Sequence, residues 1–332
     1  MAFYNTIIGA LLVGFMLHVS VVMARADNFK VLVVMSYEED YPWVKEIRDG
    51  LEPALSKAAQ IKYFYMDTKT NWQGGPEKAK EALALFESFK PDGVIAADDD
   101  AQAMFVVPYL KNRVATPVVF CGVNAQASAY GYPASNVTGL LEREPMKQSL
   151  LLLQQLVPSV KRFGYISKNS PTDKAVELQL SEEKESYPIE YVGSRIIQTL
   201  KEARVVSEEL KSKCDALLYV TMEGLPDENG HPLTDKEIMP VIAHAFGKPV
   251  ITNALYRVKY GALSAVVKTG EEHGRMAAEL LLSAMRGKPV AKIPITQNRF
   301  GQRIINIDVM RSLGIQPKPE LIRSALLVRT EQ

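Results

Sequence analysis

The run Gly93-Val94-Ile95-Ala96-Ala97-Asp98-Asp99-Asp100 passes directly from a short apolar segment into three consecutive carboxylates. Five apolar residues bounded by polar ones read as a buried strand. Aspartates at the first positions of the next segment favour a helix start, where unpaired N–H groups carry partial positive charge. A strand leading straight into a helix is half of a βαβ unit. Outward from it, residues 31–35, 61–66 and 118–121 repeat the strand pattern in the first half, and 162–167, 189–193, 216–220 and 250–252 repeat it in the second. Short apolar runs separated by longer amphipathic segments predict parallel strands joined by crossover helices.

Helix starts are marked by Ser170-Pro171-Thr172-Asp173 and by the pairs Thr199 with Glu202, Thr234 with Glu237 and Thr269 with Glu272, each at capping-box spacing. Tyr132-Pro133-Ala134-Ser135-Asn136-Val137-Thr138-Gly139 is rich in turn formers and predicts the first crossing between two domains. The C-terminal part adds strand candidates at 262–267 and 303–307 and a helix at 271–285, too little for a core of its own, so these elements complete the earlier sheets. The expected fold class is α/β, with two hinged lobes, each an open, mostly parallel sheet flanked by helices. The expected lobes are 27–138 plus about 255–290, and 139–254 plus about 291–328. A ligand of such a fold sits in the cleft beyond the carboxyl ends of the strands.

The chain has 332 residues, 47% apolar and 23% charged, enough for two cores. Its 39 basic and 38 acidic residues leave a net charge of +1, so no basic field exists to hold a nucleic acid, and none is expected as partner. Residues 7–24 are almost all apolar and lead into Ala24-Arg25-Ala26, a small-x-small cleavage pattern. Residues 1–26 therefore read as a signal peptide, with an uncleaved anchor as the alternative, and the remainder as periplasmic. Cys121 and Cys214 are the only cysteines. Two free, buried thiols are favoured over a bridge between the halves.

Several segments carry a family likeness: Ser36-Tyr37 followed by Trp43 and Gly50, Lys90-Pro91-Asp92-Gly93-Val94-Ile95, Pro117-Val118-Val119-Phe120-Cys121-Gly122-Val123-Asn124, Asn136-Val137-Thr138-Gly139, and Ile305-Asn306 leading into Leu313-Gly314-Ile315. In this order, from about Val31 to Val328, the chain resembles the solute-binding components of ABC transporters with the type I periplasmic-binding-protein fold. The resemblance implies capture of a small molecule and its delivery to an ABC permease. Similar domains serve as sensory inputs, so a separate membrane sensor is the alternative partner. A monomer is the expected state for a protein that opens and closes.

Strand ends nominate the ligand-binding residues. In the first lobe these are Ser36, Tyr37 and Trp43, which the resemblance also implies, together with Asp67, Asp98, Asp99, Asp100, Asn124 and Glu142. The aromatic groups offer faces for a ligand, while the carboxylates suit an ammonium or hydroxyls through charge-assisted hydrogen bonds. At least one of the three consecutive aspartates is expected to serve only the helix start. Position alone nominates Ser167, Asn169, Met222, Glu223, Asn253 and Tyr256 in the second lobe. The acidic excess of the first lobe points to an amine-bearing ligand.

Residues 98–103 lack the alternating oxygens and glycine of a calcium loop, and His18, His231, His244 and His273 are too scattered for zinc, so neither metal nor cofactor is expected. The sequence contains no Gly-x-Ser-x-Gly elbow, no Walker A loop and no dinucleotide fingerprint after the first strand. Binding is expected rather than catalysis, with a periplasmic hydrolase the weakest alternative.

Overall fold

In strand β1 (Phe29–Met35), Val31, Val33 and Met35 point to one face and Leu32 and Val34 to the other, and all five are fully buried. A strand buried on both faces requires a helical layer on each side. The computed structural model describes residues 28–331 apart from 221 and 317; the expected signal segment lies outside the described residues.

From β1 the chain runs through α1 (Pro42–Leu55), β2 (Ala59–Tyr65), α2 (Gly75–Phe89), β3 (Gly93–Ala97), α3 (Asp98–Ala101, continued by a π-helix over Gln102–Leu110), β4 (Val118–Val123) and β5 (Val137–Leu141). It then enters the second lobe through α4 (Met146–Leu156), β6 (Arg162–Ser167), α5 (Pro171–Glu183), β7 (Glu190–Ile196), α6 (Leu200–Leu210) and β8 (Ala216–Tyr219). A short hairpin, β9 (Leu225–Pro226) and β10 (Pro232–Leu233), precedes α7 (Asp235–Phe246), β11 (Val250–Thr252), α8 (Leu255–Lys259) and β12 (Ser264–Val267). The chain returns for α9 (Gly270–Met285) and β13 (Thr296–Gln297), then ends in the second lobe with β14 (Gln302–Asn306), α10 (Ile307–Ser312), α11 (Pro319–Arg323) and β15 (Leu326–Val328).

The first sheet has the order β13-β5-β4-β3-β1-β2 and is parallel throughout. The second has the order β15-β14-β12-β11-β8-β6-β7, with only the β12–β14 pair antiparallel. The chain therefore changes lobes three times, after β5, after β12 and after β13.

Three boundaries differ from the sequence reading. Residues 137–141, read as part of a turn-rich crossing, form β5, whose Val137, Thr138 and Gly139 pair with Val118, Val119 and Phe120. The first crossing follows it. Of residues 255–290, assigned to the first lobe, α8 and β12 belong to the second, because β12 pairs with β11 and β14. Only α9 returns, and β13, assigned to the second lobe, pairs with β5 in the first.

Two ties hold the crossings. The buried carboxylate of Glu272 accepts backbone N–H bonds from Arg299 (2.6 Å), Phe300 (2.9 Å) and Gly301 (2.9 Å), gripping the third crossing. Lys268, on the second, is ion-paired with Glu142 (2.7 Å) and Glu144 (3.0 Å) on the first. The four helix starts carry their caps: Ser170, Thr199 and Thr269 accept from the backbone three residues on, and Thr234 with Glu237 forms a full capping box. Cys121 and Cys214 are free and buried. Among the described residues no helix is long and apolar enough to cross a membrane.

Candidate functional site

The carboxyl ends of β1, β3, β4 and β5 converge on one edge of the first lobe. Ser36, just past β1, is fully buried; its hydroxyl donates to the Ala97 carbonyl (2.7 Å) and accepts from the Ala101 N–H (2.8 Å). It thereby fastens the end of β1 to the first turn of α3. Within that turn Asp98 has φ of +68°, a left-handed conformation that costs a non-glycine residue on the order of 1 kcal/mol. The buried Gln102 side chain holds this turn, donating to the carbonyls of Ala96 (3.0 Å) and Asp98 (3.1 Å).

The consequence is a buried carboxylate. Asp98 Oδ1 accepts the Trp43 indole N–H (2.9 Å), while Oδ2 is buried and has no hydrogen-bond partner among the described residues. Burial raises the Asp98 carboxyl well above its usual range, Glu142 and Asp99 add to this, and the Trp43 hydrogen bond and Lys69 oppose it. Gly122, at φ +68°, makes room for the carboxylate: a Cβ there would stand 2.7 Å from Asp98 Oδ1. The Gly122 N–H donates to His273 Nδ1 (3.2 Å), which requires that nitrogen to be unprotonated. Burial and neighbouring Lys268 push His273 down to about 4, in agreement with that geometry.

Around this centre lie Tyr37, Trp43 and Glu142. Lys69 places its ammonium 4.1 Å from the Tyr37 ring centroid, and Tyr41 packs edge-on against the same ring. The Tyr37 hydroxyl is raised above its ordinary value by burial and by Asp98, Asp100, Asp99 and Glu142, so the group stays a neutral donor. Burial raises Glu142 as well, with Lys268 opposing. Lys268 itself would be lowered by burial, but Glu144 and Glu142 hold it above its usual value. The edge can therefore offer carboxylate oxygens, a phenol and two aromatic faces to a cation-bearing ligand. Beside it, a cavity of about 410 Å³ lies between Asn124 and Glu142 of the first lobe and Thr172, Val176 and Gln179 of α5 in the second.

The remaining first-lobe candidates are engaged in holding the scaffold. Asp99 accepts the backbone N–H groups of Asn124 (2.9 Å) and Ala125 (3.2 Å) and the Tyr130 hydroxyl (2.7 Å). Asp100 accepts from Thr68 (2.7 Å) and Trp72 (3.3 Å). Asp67 is ion-paired with Lys78 at 3.0 Å. Asn124 is exposed beside the cavity.

In the second lobe Ser167 lies at the end of β6 and is buried, whereas Asn169 is exposed. Met222, expected as a cleft contact, has its side chain fully buried in the core with Tyr219, Leu225 and Ile238. Glu223 caps α7, accepting the Asp235 N–H at 2.8 Å. Asn253 accepts from Arg257 Nη1 (2.9 Å), and Tyr256 is 45% exposed. Sequence reasoning missed Lys69, Lys268, His273, Asp235 and Arg257. Lys268 directly follows a strand candidate and could have been nominated by the same rule as Asp98; the burial of His273 inside α9 leaves no local signal.

Among the described residues no group of His, Cys, Asp and Glu is arranged to hold a metal ion. A family model described as ABC transporter substrate binding protein matches residues 30–329. A tyrosine-binding protein of Clostridioides difficile (strain R20291) is 26% identical over 254 residues, which cover 74% of this chain and 70% of that protein. The ligand-free, open structure of a substrate-binding protein with adhesive properties from Clostridium difficile superposes with a TM-score of 0.66 at 21% identity, covering 91% of this chain and 100% of that chain. A complex of an ABC domain with L-Trp from Streptococcus pneumonia covers 91% of this chain and 100% of that chain, at a TM-score of 0.49 and 18% identity. With nearly all of the described chain matched by the family model and the α/β two-lobe fold shared with a substrate-binding protein, this chain belongs to the ABC transporter substrate-binding protein family and is a solute-binding protein.

Proposed function

We propose that the protein captures an amine-bearing aromatic solute, an aromatic amino acid foremost, in the interlobe cleft on the outer side of the cytoplasmic membrane and delivers it to an ABC permease. It acts by binding rather than by catalysis. The observation that carries this reading is Asp98: a buried carboxyl group held in strained backbone, with one oxygen lacking a partner among the described residues. A buried oxygen in that state is costly on its own and becomes favourable when a ligand ammonium donates to it. Tyr37 and Trp43 supply aromatic surface beside it, and the tyrosine bound by the relative from Clostridioides difficile combines both features, an amine and a ring.

Ligand that contacts both lobes shifts the population toward a closed form, which a membrane partner recognises. A thermal-shift panel of amino acids, polyamines, nucleosides and sugars tests the ligand class. A ligand at a hundred times its dissociation constant stabilises by about 2.7 kcal/mol. The expected result is a raised Tm with tyrosine, tryptophan or phenylalanine. A shift confined to sugars or nucleosides contradicts the proposal.

A further inference from the structure

The second lobe carries a polar cluster that the acidic site of the first lobe does not use. Asp235, the first residue of α7, is buried; its Oδ1 accepts the Tyr219 hydroxyl and the Met222 N–H (2.9 Å), and its Oδ2 accepts Arg257 Nε (2.7 Å). Burial alone would raise the Asp235 carboxyl, but these hydrogen bonds and the Arg257 charge outweigh it and hold the group below its usual range, ionised. Arg257 Nη1 donates in turn to Asn253, and the guanidinium lies 4.7 Å from the Tyr256 ring centroid. The Arg257 side chain is only 9% exposed and is pinned by a carboxylate, an amide and a ring.

A guanidinium is a planar fork with five N–H donors, suited to carboxylates. Here Nε and Nη1 are occupied, and among the described residues Nη2 donates to no protein acceptor; nor is it among the buried polar atoms that lack a partner. Asn253 directly follows β11, and α7 begins at the same end of the sheet, so the group stands at the strand ends that face a ligand. Lys168, which donates to the Glu223 carbonyl, lies on the same edge.

The geometry points to Arg257 as a carboxylate-binding subsite in the second lobe, opposite the amine-binding carboxylates Asp98 and Glu142 of the first. This assignment rests on the reading that the ligand is an amine-bearing solute, and it narrows the class to zwitterions, α-amino acids with a free carboxylate. Each pole of the ligand is claimed by a different lobe, so a ligand lacking one pole binds one lobe and does not hold the two together. Asn253 and Asp235 act as positioning residues, since a pre-oriented guanidinium loses little freedom when the ligand arrives.

Calorimetric titration with L-tyrosine and with tyramine, which has the same ring and amine but no carboxylate, tests the subsite. Wild-type protein is expected to bind tyramine about ten- to a hundredfold more weakly than L-tyrosine, the range of a charge-assisted hydrogen bond. In the double variant Arg257→Met, Asp235→Asn, which removes both buried charges together, L-tyrosine is expected to fall to the tyramine level while tyramine itself is unchanged. Arg257→Lys keeps a cation beside Asp235 and makes the test readable if the double variant does not fold; there the preference for L-tyrosine is expected to shrink several-fold. Equal weakening of both ligands in the variants would assign Arg257 a purely structural role and overturn the subsite. Equally tight binding of both by the wild type would overturn it too, while leaving an amine site in the first lobe; binding of neither would remove the amine reading as well.

Discussion

His273 and Asp98 both adjoin Gly122 and Trp43 and pull the pH dependence of folding in opposite directions. His273 is held neutral, about 4 against its ordinary 6.5, so between those values the folded state binds fewer protons than the unfolded chain. Stability from this residue therefore falls as pH drops from 6.5 toward 4, and the gap corresponds to about 3 kcal/mol. The expected outcome is that His273→Gln, which keeps an acceptor for the Gly122 N–H, unfolds in denaturant with a flatter dependence between pH 4 and 6.5 than the wild type. Parallel pH profiles would show that His273 is not the group that titrates. Asp98 has the reverse sign: its folded value is raised, the folded state holds the extra proton, and stability falls as pH rises above the unfolded carboxylate value. The cluster Asp98-Asp99-Asp100 was legible in the sequence because it directly follows an unmistakable strand. Which of the three keeps one buried oxygen without a partner among the described residues was not, since that depends on a left-handed backbone at Asp98 and on Tyr130, Asn124, Thr68 and Trp72, residues far along the chain that engage the other two.

At the scale of elements, the contact of α1 with α9 sets the position of Trp43 and His273 together. Val44, Ile47, Leu51 and Leu55 of α1 share a core with Ala277, Ala278 and Leu281 of α9. The helices approach so closely that a Cβ on Gly274 would lie 2.0 Å from the Ile47 carbonyl oxygen. Gly274→Ala therefore has to push the helices apart, at a cost of about 1–3 kcal/mol. Denaturant unfolding should show that loss, together with weaker solute binding as the Trp43–Asp98 bond lengthens; unchanged stability would mean that the helices separate without strain. The strands at 93–97, 162–167 and 250–252 were readable to the residue, because each is a short apolar run between polar segments. β5 was not, since Val137-Thr138-Gly139 follows a string of turn formers and only its pairing with β4 makes it a strand. β12 was recognised as a strand but given to the wrong lobe, because a pattern of apolar residues says nothing about which sheet edge it joins.

The whole molecule is two large sheets joined by three crossings, with the proposed solute site beside them. Glu272 fixes the third crossing and the Lys268 ion pairs bridge the other two, so the connections are ordered. On the proposed reading, a first lobe with a buried carboxyl oxygen unpaired among the described residues, and a second with an anchored guanidinium, each gain from a ligand bearing the opposite charge. Closure around such a ligand buries apolar surface and carries a negative heat-capacity change. The most direct measurement is calorimetric titration of L-tyrosine into the wild type and into Asp98→Asn at several temperatures, with the ligand-free Tm of each. The account predicts one site per chain with a negative heat-capacity change in the wild type, at least about tenfold weaker binding in the variant, and a higher ligand-free Tm for the variant at neutral pH, because the carboxyl group whose ionisation burial penalises is gone. Equal affinity in the two proteins, or a lower Tm in the variant, would contradict it.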